Sequence, residues 1–342
     1  MKPSVIAREF TKTEIEIFLR NLVPDSIEDD ELIDYDYLFG GLSTTTILVT
    51  VGTRKAQYVL KIFYPNNAPY ETFQNAMNVC EYIHRNRPDI PICHPVYGPD
   101  VRLVDGFPCI LMNYISNAVA GDVAVEIEGL PRAKVLYAMG KVLGQLHTIK
   151  VSNDCTIDTY KTGGVVELYK HQTGEFLSTI RALKNDKFSD WYESERGLLS
   201  SVLCSNELRL GVVHGDPFMD NVMVHGDCSL AGLVDFEDSC IGPIMFDLGA
   251  VLAGSCFVDD TTIDWESVRE FLLGYTENGE LSANEKQFLF DFVAIALLCN
   301  CVFRYMTYHG SSNSDAYKDL YTKLCYWRSN ENTIRQRLVH IV

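Results

Sequence analysis

The chain has 342 residues, enough for one large core or two ordinary domains, and its 47% hydrophobic and 22% charged content is that of a folded globular protein. A formal net charge of −17 argues against a nucleic-acid binder, which needs a basic footprint to neutralise phosphates. Eleven cysteines, an odd number with no Cys-x-x-Cys pair, suit a reducing compartment. Arg8 and Glu9 interrupt the start where an export signal needs its apolar run; the expected location is the cytoplasm.

In chain order, the first feature is the acidic stretch SIEDDELIDYD, Ser26 to Asp36, which reads as a solvated loop. TTILVTV (Thr45 to Val51) and QYVLKIF (Gln57 to Phe63) are β-branched or alternating runs joined by GTRKA, the pattern of a hairpin. A helix is predicted over Tyr70 to Arg85. RPDIPICHPVYGPD follows, and its four prolines forbid regular structure. Extended runs at Val101 to Val104 and Phe107 to Ile115 close the strand-rich part.

From about Pro131 the segments become long and amphipathic. Val135, Leu136, Met139, Val142, Leu143 and Leu146 recur at helical spacing. Further helices are predicted over Val165 to Leu183, Asp190 to Glu207, Asp264 to Tyr275, Ala283 to Tyr308 and Asp315 to Leu338. Among them lie two strand-like pieces, around GVVHGDPFMDNVMV (Gly211 to Val224) and LAGLVDF (Leu230 to Phe236). The most apolar run, FVAIALLCNCVF between Asp291 and Arg304, is too short for a hydrocarbon core of ~30 Å, so it is expected to be a buried helix and no membrane partner is expected. The division is a small strand-rich lobe over residues 1–112 and a larger helical lobe over 113–342, an α+β fold.

Chemistry concentrates in the second half. Asp216 precedes Asn221 by five residues, and Asp235 ends an apolar run fourteen residues later. A carboxamide and a carboxylate are oxygen ligands of the kind Mg²⁺ takes, with phosphate oxygens and waters completing its shell. Asp216 is then placed to accept the proton of a hydroxyl attacking phosphorus. Phosphoryl transfer also needs a nucleotide site. Lys61 shares one strand face with Val59 and Phe63, a poor place for a cation unless a phosphate meets it. Upstream, FGGLSTTTI brings Gly40 and Gly41 before Ser43 and Thr44, small residues that let a hairpin backbone approach phosphates. LMNYI, holding Met112, Asn113 and Tyr114, ends the last strand of this lobe, where a linker with adenine-binding backbone groups would lie.

HGDPFMDN (His214 to Asn221), VDFEDSCIGPIMFDLG (Val234 to Gly249) and LGQLH (Leu143 to His147) resemble the protein-kinase-like fold, in its aminoglycoside-phosphotransferase and choline-kinase branch. The resemblance spans roughly Phe39 to Cys256, and Gly215 stands where protein kinases carry arginine. It implies a two-lobe enzyme using ATP and Mg²⁺, with Asp216 as catalytic base, Asn221 and Asp235 as metal ligands, and Lys61 on the α/β-phosphates. His214 and Asp247 would hold the catalytic loop by hydrogen bonds. One departure stands out. The glutamate that pairs with the strand lysine in such folds should lie in the next helix, whose middle turns read TFQNAMNVC; Glu71 and Glu81, one at each end, are the candidates.

HGDPFMDNVMV and the helical stretch from Phe271 to Met306 look closest to homoserine and hydroxylysine kinases, whereas VDFED has the Asp-Phe-Glu of choline kinases. The expected acceptor is therefore a small alcohol carrying an amino group, with choline, ethanolamine, hydroxylysine or aminoglycosides as alternatives. Glu237 and Asp238 are candidates for meeting its ammonium. Two readings from other classes compete. One is a metal-dependent hydrolase built on His214, Asp216, His225 and Asp235, which leaves Lys61, Asn221 and the glycines without a task. The other is a catalytically silent kinase fold acting as a binding partner.

Overall fold

The TTILVTV and QYVLKIF runs do pair. The structure, a computed structural model, describes residues 8–23, 32–38, 44–64, 70–152, 155–160, 175–203, 205 and 207–341. Thr44–Val51 (β2) and Ala56–Phe63 (β3) form an antiparallel hairpin in which Thr46 faces Lys61 and Thr50 faces Gln57. With Leu32–Leu38 (β1), Arg102–Val104 (β4) and Phe107–Asn113 (β5) they build one five-stranded sheet, ordered β1-β2-β3-β5-β4. The chain divides into two compact units, Met1–Asn117 with Gly232–Glu237, and Ala118–Ala231 with Asp238–Val342.

In the first unit both sheet faces are covered, which explains why β3 is apolar on successive residues. Ile47, Val49, Leu60, Ile62, Cys109 and Leu111 bury one face together with Phe18, Leu19 and Leu22 of the helix Lys12–Leu22 (α1). The other face receives the helix Tyr70–Asn86 (α2), where Phe73 stacks on Phe63 with ring centroids 4.2 Å apart, a contact worth ~0.5–1.5 kcal/mol beyond its buried area.

Two expectations change here. Helix α1 has no counterpart in the sequence reading; its start carries a capping box in which Thr11 and Glu14 satisfy each other's backbone amides. The acidic stretch is not a loop throughout, because Leu32 to Leu38 pairs as an edge strand with Asp34 and Asp36 exposed and Tyr35 and Tyr37 packed on the core. Alternation of acid and aromatic side chains is what an edge strand wants, since the charges deter further pairing.

In the second unit the helices Arg132–Leu146 (α4) and Trp265–Thr276 (α8) run in contact through glycine. A Cβ on Gly140 would sit 2.1 Å from the Phe271 carbonyl oxygen, and one on Gly274 2.1 Å from that of Tyr137. The short elements Val119–Ala120 (β6) and Gly121–Glu126 (α3) precede α4, and β6 pairs with Val222–Val224 (β8). Helices Glu175–Ala182 (α5) and Asp186–Leu203 (α6) follow; most of the helix predicted from Val165 lies outside the described residues. Leu210–Val213 (β7) pairs with Cys240–Pro243 (β10), a strand not foreseen, as is the hairpin Phe257–Asp259 (β11) with Thr262–Ile263 (β12). The strand Leu230–Leu233 (β9) stops three residues short of its predicted end.

Ala283–Tyr308 (α9) is the helix whose apolar run drew attention. It is long and apolar enough to cross a membrane by composition, but Leu289, Phe292, Val293, Leu297 and Val302 are buried inside this unit, as in a core helix. It packs on Met245–Ser255 (α7), where Gly249 meets the Phe292 backbone. The single helix predicted from Asp315 to Leu338 is two, Lys318–Ser329 (α10) and Glu331–Ile341 (α11). Asn330 caps the first of them, its side-chain amide donating to the Tyr326 carbonyl at 2.9 Å. The late aromatics are packing: Trp327 stacks on Phe290 and donates to its carbonyl, and Tyr305 stacks on Phe188. Ten cysteines among the described residues are free thiols.

Candidate functional site

Lys61 projects from the middle of β3 with only 12% of its side chain exposed. Two carboxylates meet it, Asp235 Oδ1 at 2.7 Å and Glu237 Oε1 at 2.6 Å. Burial alone would push the ammonium's pKa down, but the charges of Asp235 and Glu237 outweigh that and hold it above the ordinary lysine range.

The two carboxylates reach Lys61 because their segment is zipped into the first unit. Ile92 and Leu233 form a parallel bridge, with Cys93 N–H on Leu233 O at 2.8 Å and Leu233 N–H on Pro91 O at 3.0 Å. The proline-rich stretch, irregular as predicted, thus supplies the partner that regular strands do not. Asp235 then takes a left-handed backbone, φ +65°. That turn ends β9 early and is tolerated better by Asp than by most side chains. Phe236, buried, anchors the chain between the two acids.

Of the linker residues, Met112 is buried and paired with Val59. Asn113 N–H donates to His94 O at 3.0 Å, and its Oδ1 accepts the His94 N–H at 2.6 Å. Tyr114 follows, half-buried. Thr44 begins β2 and is buried opposite Phe63. Gly40, Gly41 and Ser43 lie outside the described residues.

In the second unit the expected base sits on a loop pinned from three directions. Asn221 ends a 3-10 turn, Met219–Asn221, and its Nδ2 donates to Asp216 O at 2.8 Å and to Asp216 Oδ2 at 3.0 Å. Both amide hydrogens are thereby used, so the carboxamide oxygen is the atom left to face a cation. Asp247, wholly buried on α7, accepts His214 N–H on Oδ2 at 2.7 Å and Gly215 N–H on Oδ1 at 3.0 Å. Ser239 Oγ donates to His214 O at 2.8 Å. Behind Asp247, His147 places Nε2 3.1 Å from Oδ2 and Nδ1 3.1 Å from the Tyr275 hydroxyl. His147 closes the LGQLH motif; its task, and those of Ser239 and Tyr275, do not emerge from sequence. A histidine on the apolar face of a helix was the available signal.

The His214 ring is fully buried, and its Nδ1 accepts the Asp216 N–H at 3.4 Å. That geometry makes it a brace. Among the described residues no three His, Cys, Asp or Glu side chains are grouped to hold a metal.

Gly215 explains the departure from the arginine of protein kinases. Its φ is +87°, and a Cβ there would lie 2.3 Å from the Asp238 carbonyl oxygen. Asp238 itself is exposed, with its backbone against the loop. Gly215→Ala is expected to cost at least ~1–2 kcal/mol for the left-handed backbone alone. By shifting the loop it should lower turnover by about 10²-fold. Unfolding in denaturant together with kcat checks both, and a variant as stable and active as the parent refutes the account.

The phosphotransferase enzyme family matches residues 38–280. The homoserine kinase of Methylobacillus flagellatus is 26% identical over 264 residues, 75% of this chain and 74% of that one. Among solved structures, the ethanolamine kinase of Plasmodium vivax superposes with a TM-score of 0.63 at 11% identity, over 88% of this chain and 83% of that one. An amicoumacin kinase in complex with AMP-PNP and Ca²⁺ gives 0.63 at 16% identity, over 96% and 95%. These likenesses show a protein-kinase-like α+β fold. The chain belongs to the phosphotransferase enzyme family, and it is an enzyme that phosphorylates the hydroxyl group of a small molecule.

Proposed function

We propose that the enzyme transfers the γ-phosphoryl group of ATP to the hydroxyl of a small amino-bearing alcohol, homoserine or a close analogue, with Mg²⁺. The observation that carries this reading is the Asp216–Asn221 pair: one side chain fixes the carboxylate and keeps its own oxygen for a cation. Asp216 would accept the proton of the attacking hydroxyl. Asn221 and Asp235 would hold Mg²⁺, which when bound neutralises charge on the phosphates. Lys61 would meet the α/β-phosphates, with Gly40, Gly41, Ser43 and Thr44 over them. The Met112–Tyr114 linker would face adenine, and since Asn113 N–H is spent on His94, Tyr114 is the better donor.

Support for ATP comes from the AMP-PNP of the amicoumacin kinase, and support for an amino alcohol from the homoserine and ethanolamine kinases. The free cysteines suit the cytoplasm. The test is ADP release by purified protein with Mg·ATP against homoserine, hydroxylysine, choline, ethanolamine, methylthioribose and aminoglycosides. The expected result is the highest kcat/KM with homoserine. An aminoglycoside or choline ahead of it would reassign the acceptor, and ADP release that no alcohol stimulates would remove the reading.

A further inference from the structure

We infer that Glu237 is the positioning residue for Lys61, taking the place of the helix glutamate that α2 lacks. The inference rests on the phosphotransfer reading above and gives one of its segments a second task. The geometry is direct. Lys61 Nζ lies 2.6 Å from Glu237 Oε1, and the Glu237 side chain is 16% exposed. Neither acid of α2 competes. Glu81 pairs with Arg85 at 2.5 Å one turn on, and Glu71 is exposed in the first turn. Cys80, buried on α2 within the field of Lys61, is a neutral neighbour, because burial drives its thiol far above the usual range. Cys93, half-buried nearby, has its thiol pushed up to about 12 by desolvation.

Lys61 needs a second partner because the first is shared. Asp235 contacts it at 2.7 Å, yet Asp235 is also the expected metal ligand and keeps 38% of its side chain exposed. A carboxylate drawn toward a cation has fewer lone pairs left to steer a lysine. Glu237 is not among the expected metal ligands. Buried Phe236 separates the two acids, so both can turn to Lys61 from one anchored segment. The lysine is then set by the same few residues that present the expected metal ligand, and neither acid of α2 takes that task. This reading takes Glu237 away from the acceptor's ammonium and leaves Asp238 as the candidate there.

The test uses the full chain. Glu237→Gln should raise the KM for ATP about tenfold, the scale of an electrostatic contact worth one pKa unit, with the acceptor KM unchanged. Glu81→Gln should alter neither. A rise in acceptor KM alone, or an equal ATP effect from Glu81→Gln, overturns the assignment. A second measurement needs no nucleotide: melting of Glu237→Gln, Lys61→Met and the double variant. If the pair is coupled, the two shifts do not add; additive shifts overturn it. Wild-type protein that binds no ATP by calorimetry sinks the phosphotransfer reading and not the pair, which the melting cycle then decides.

Discussion

Asp216→Asn is expected to lower kcat by ~10²–10⁴-fold, the range a positioned general base contributes, with little change in the melting temperature. The reason lies in which atoms hold the loop. Asn221 Nδ2 bonds the Asp216 backbone oxygen as well as Oδ2, and Asp247 grips the amides of His214 and Gly215. An asparagine at 216 can still offer an oxygen to Asn221, so the loop keeps its shape while losing the group that accepts a proton. Asp220→Asn is the control for charge. That carboxylate is exposed one residue before Asn221, and its removal should leave kcat close to the parent's. Equal losses in both variants would mean that local charge, and not proton acceptance at Asp216, sets the rate. Parent-like turnover of Asp216→Asn would remove the base.

The sequence discloses the parts whose local pattern and final contacts agree. The hairpin of β2 and β3 is readable because its strands are β-branched and its loop is short. The Asp216–Asn221 contact is readable because five residues of loop are too few to separate the two. Helix α1 was available through its Thr11–Glu14 capping signature, but alternating Glu and Ile at positions 14–17 obscured the helical period. Other contacts depend on chain segments far apart. Asp247 is 33 residues from His214 and 100 from His147, and Lys61 is 174 from Asp235. Resemblance suggested that Asp247 holds the loop; nothing local names His147 or Ser239 as its companions. Glu237 shows the limit most plainly. Its position after Asp-Phe invited a role toward the acceptor, whereas the bridge between Ile92 and Leu233 ties that segment to the unit that carries Lys61. The early stop of β9 has the same origin, since a left-handed Asp235 cannot be read from an apolar run.

The second large effect is expected at Asp247, through structure first and rate second. Its carboxylate receives two backbone amides and faces His147, all with no exposed surface on the acid. Asp247→Ala deletes the acceptor of each. Buried donors left without partners cost ~1–3 kcal/mol apiece, so a loss of about 3–5 kcal/mol is expected, a large share of the stability of an ordinary domain. Asp247→Asn is the informative companion. It keeps one oxygen, but its amide nitrogen must then confront an N–H, of Gly215 or of His214, so one charge-assisted bond of ~1.5–3 kcal/mol is lost. Denaturant unfolding should therefore rank the parent above Asn and Asn above Ala. At a temperature where Asp247→Asn remains folded, kcat should fall further than the KM for ATP rises, because Asp247 grips the loop that carries Asp216 while Lys61 is held by other residues in the other unit. An Asp247→Asn enzyme with a weakened ATP KM and unchanged kcat would show that this carboxylate serves the nucleotide and not the base, and the hydrogen bonds from His214 and Gly215 would then be structural alone.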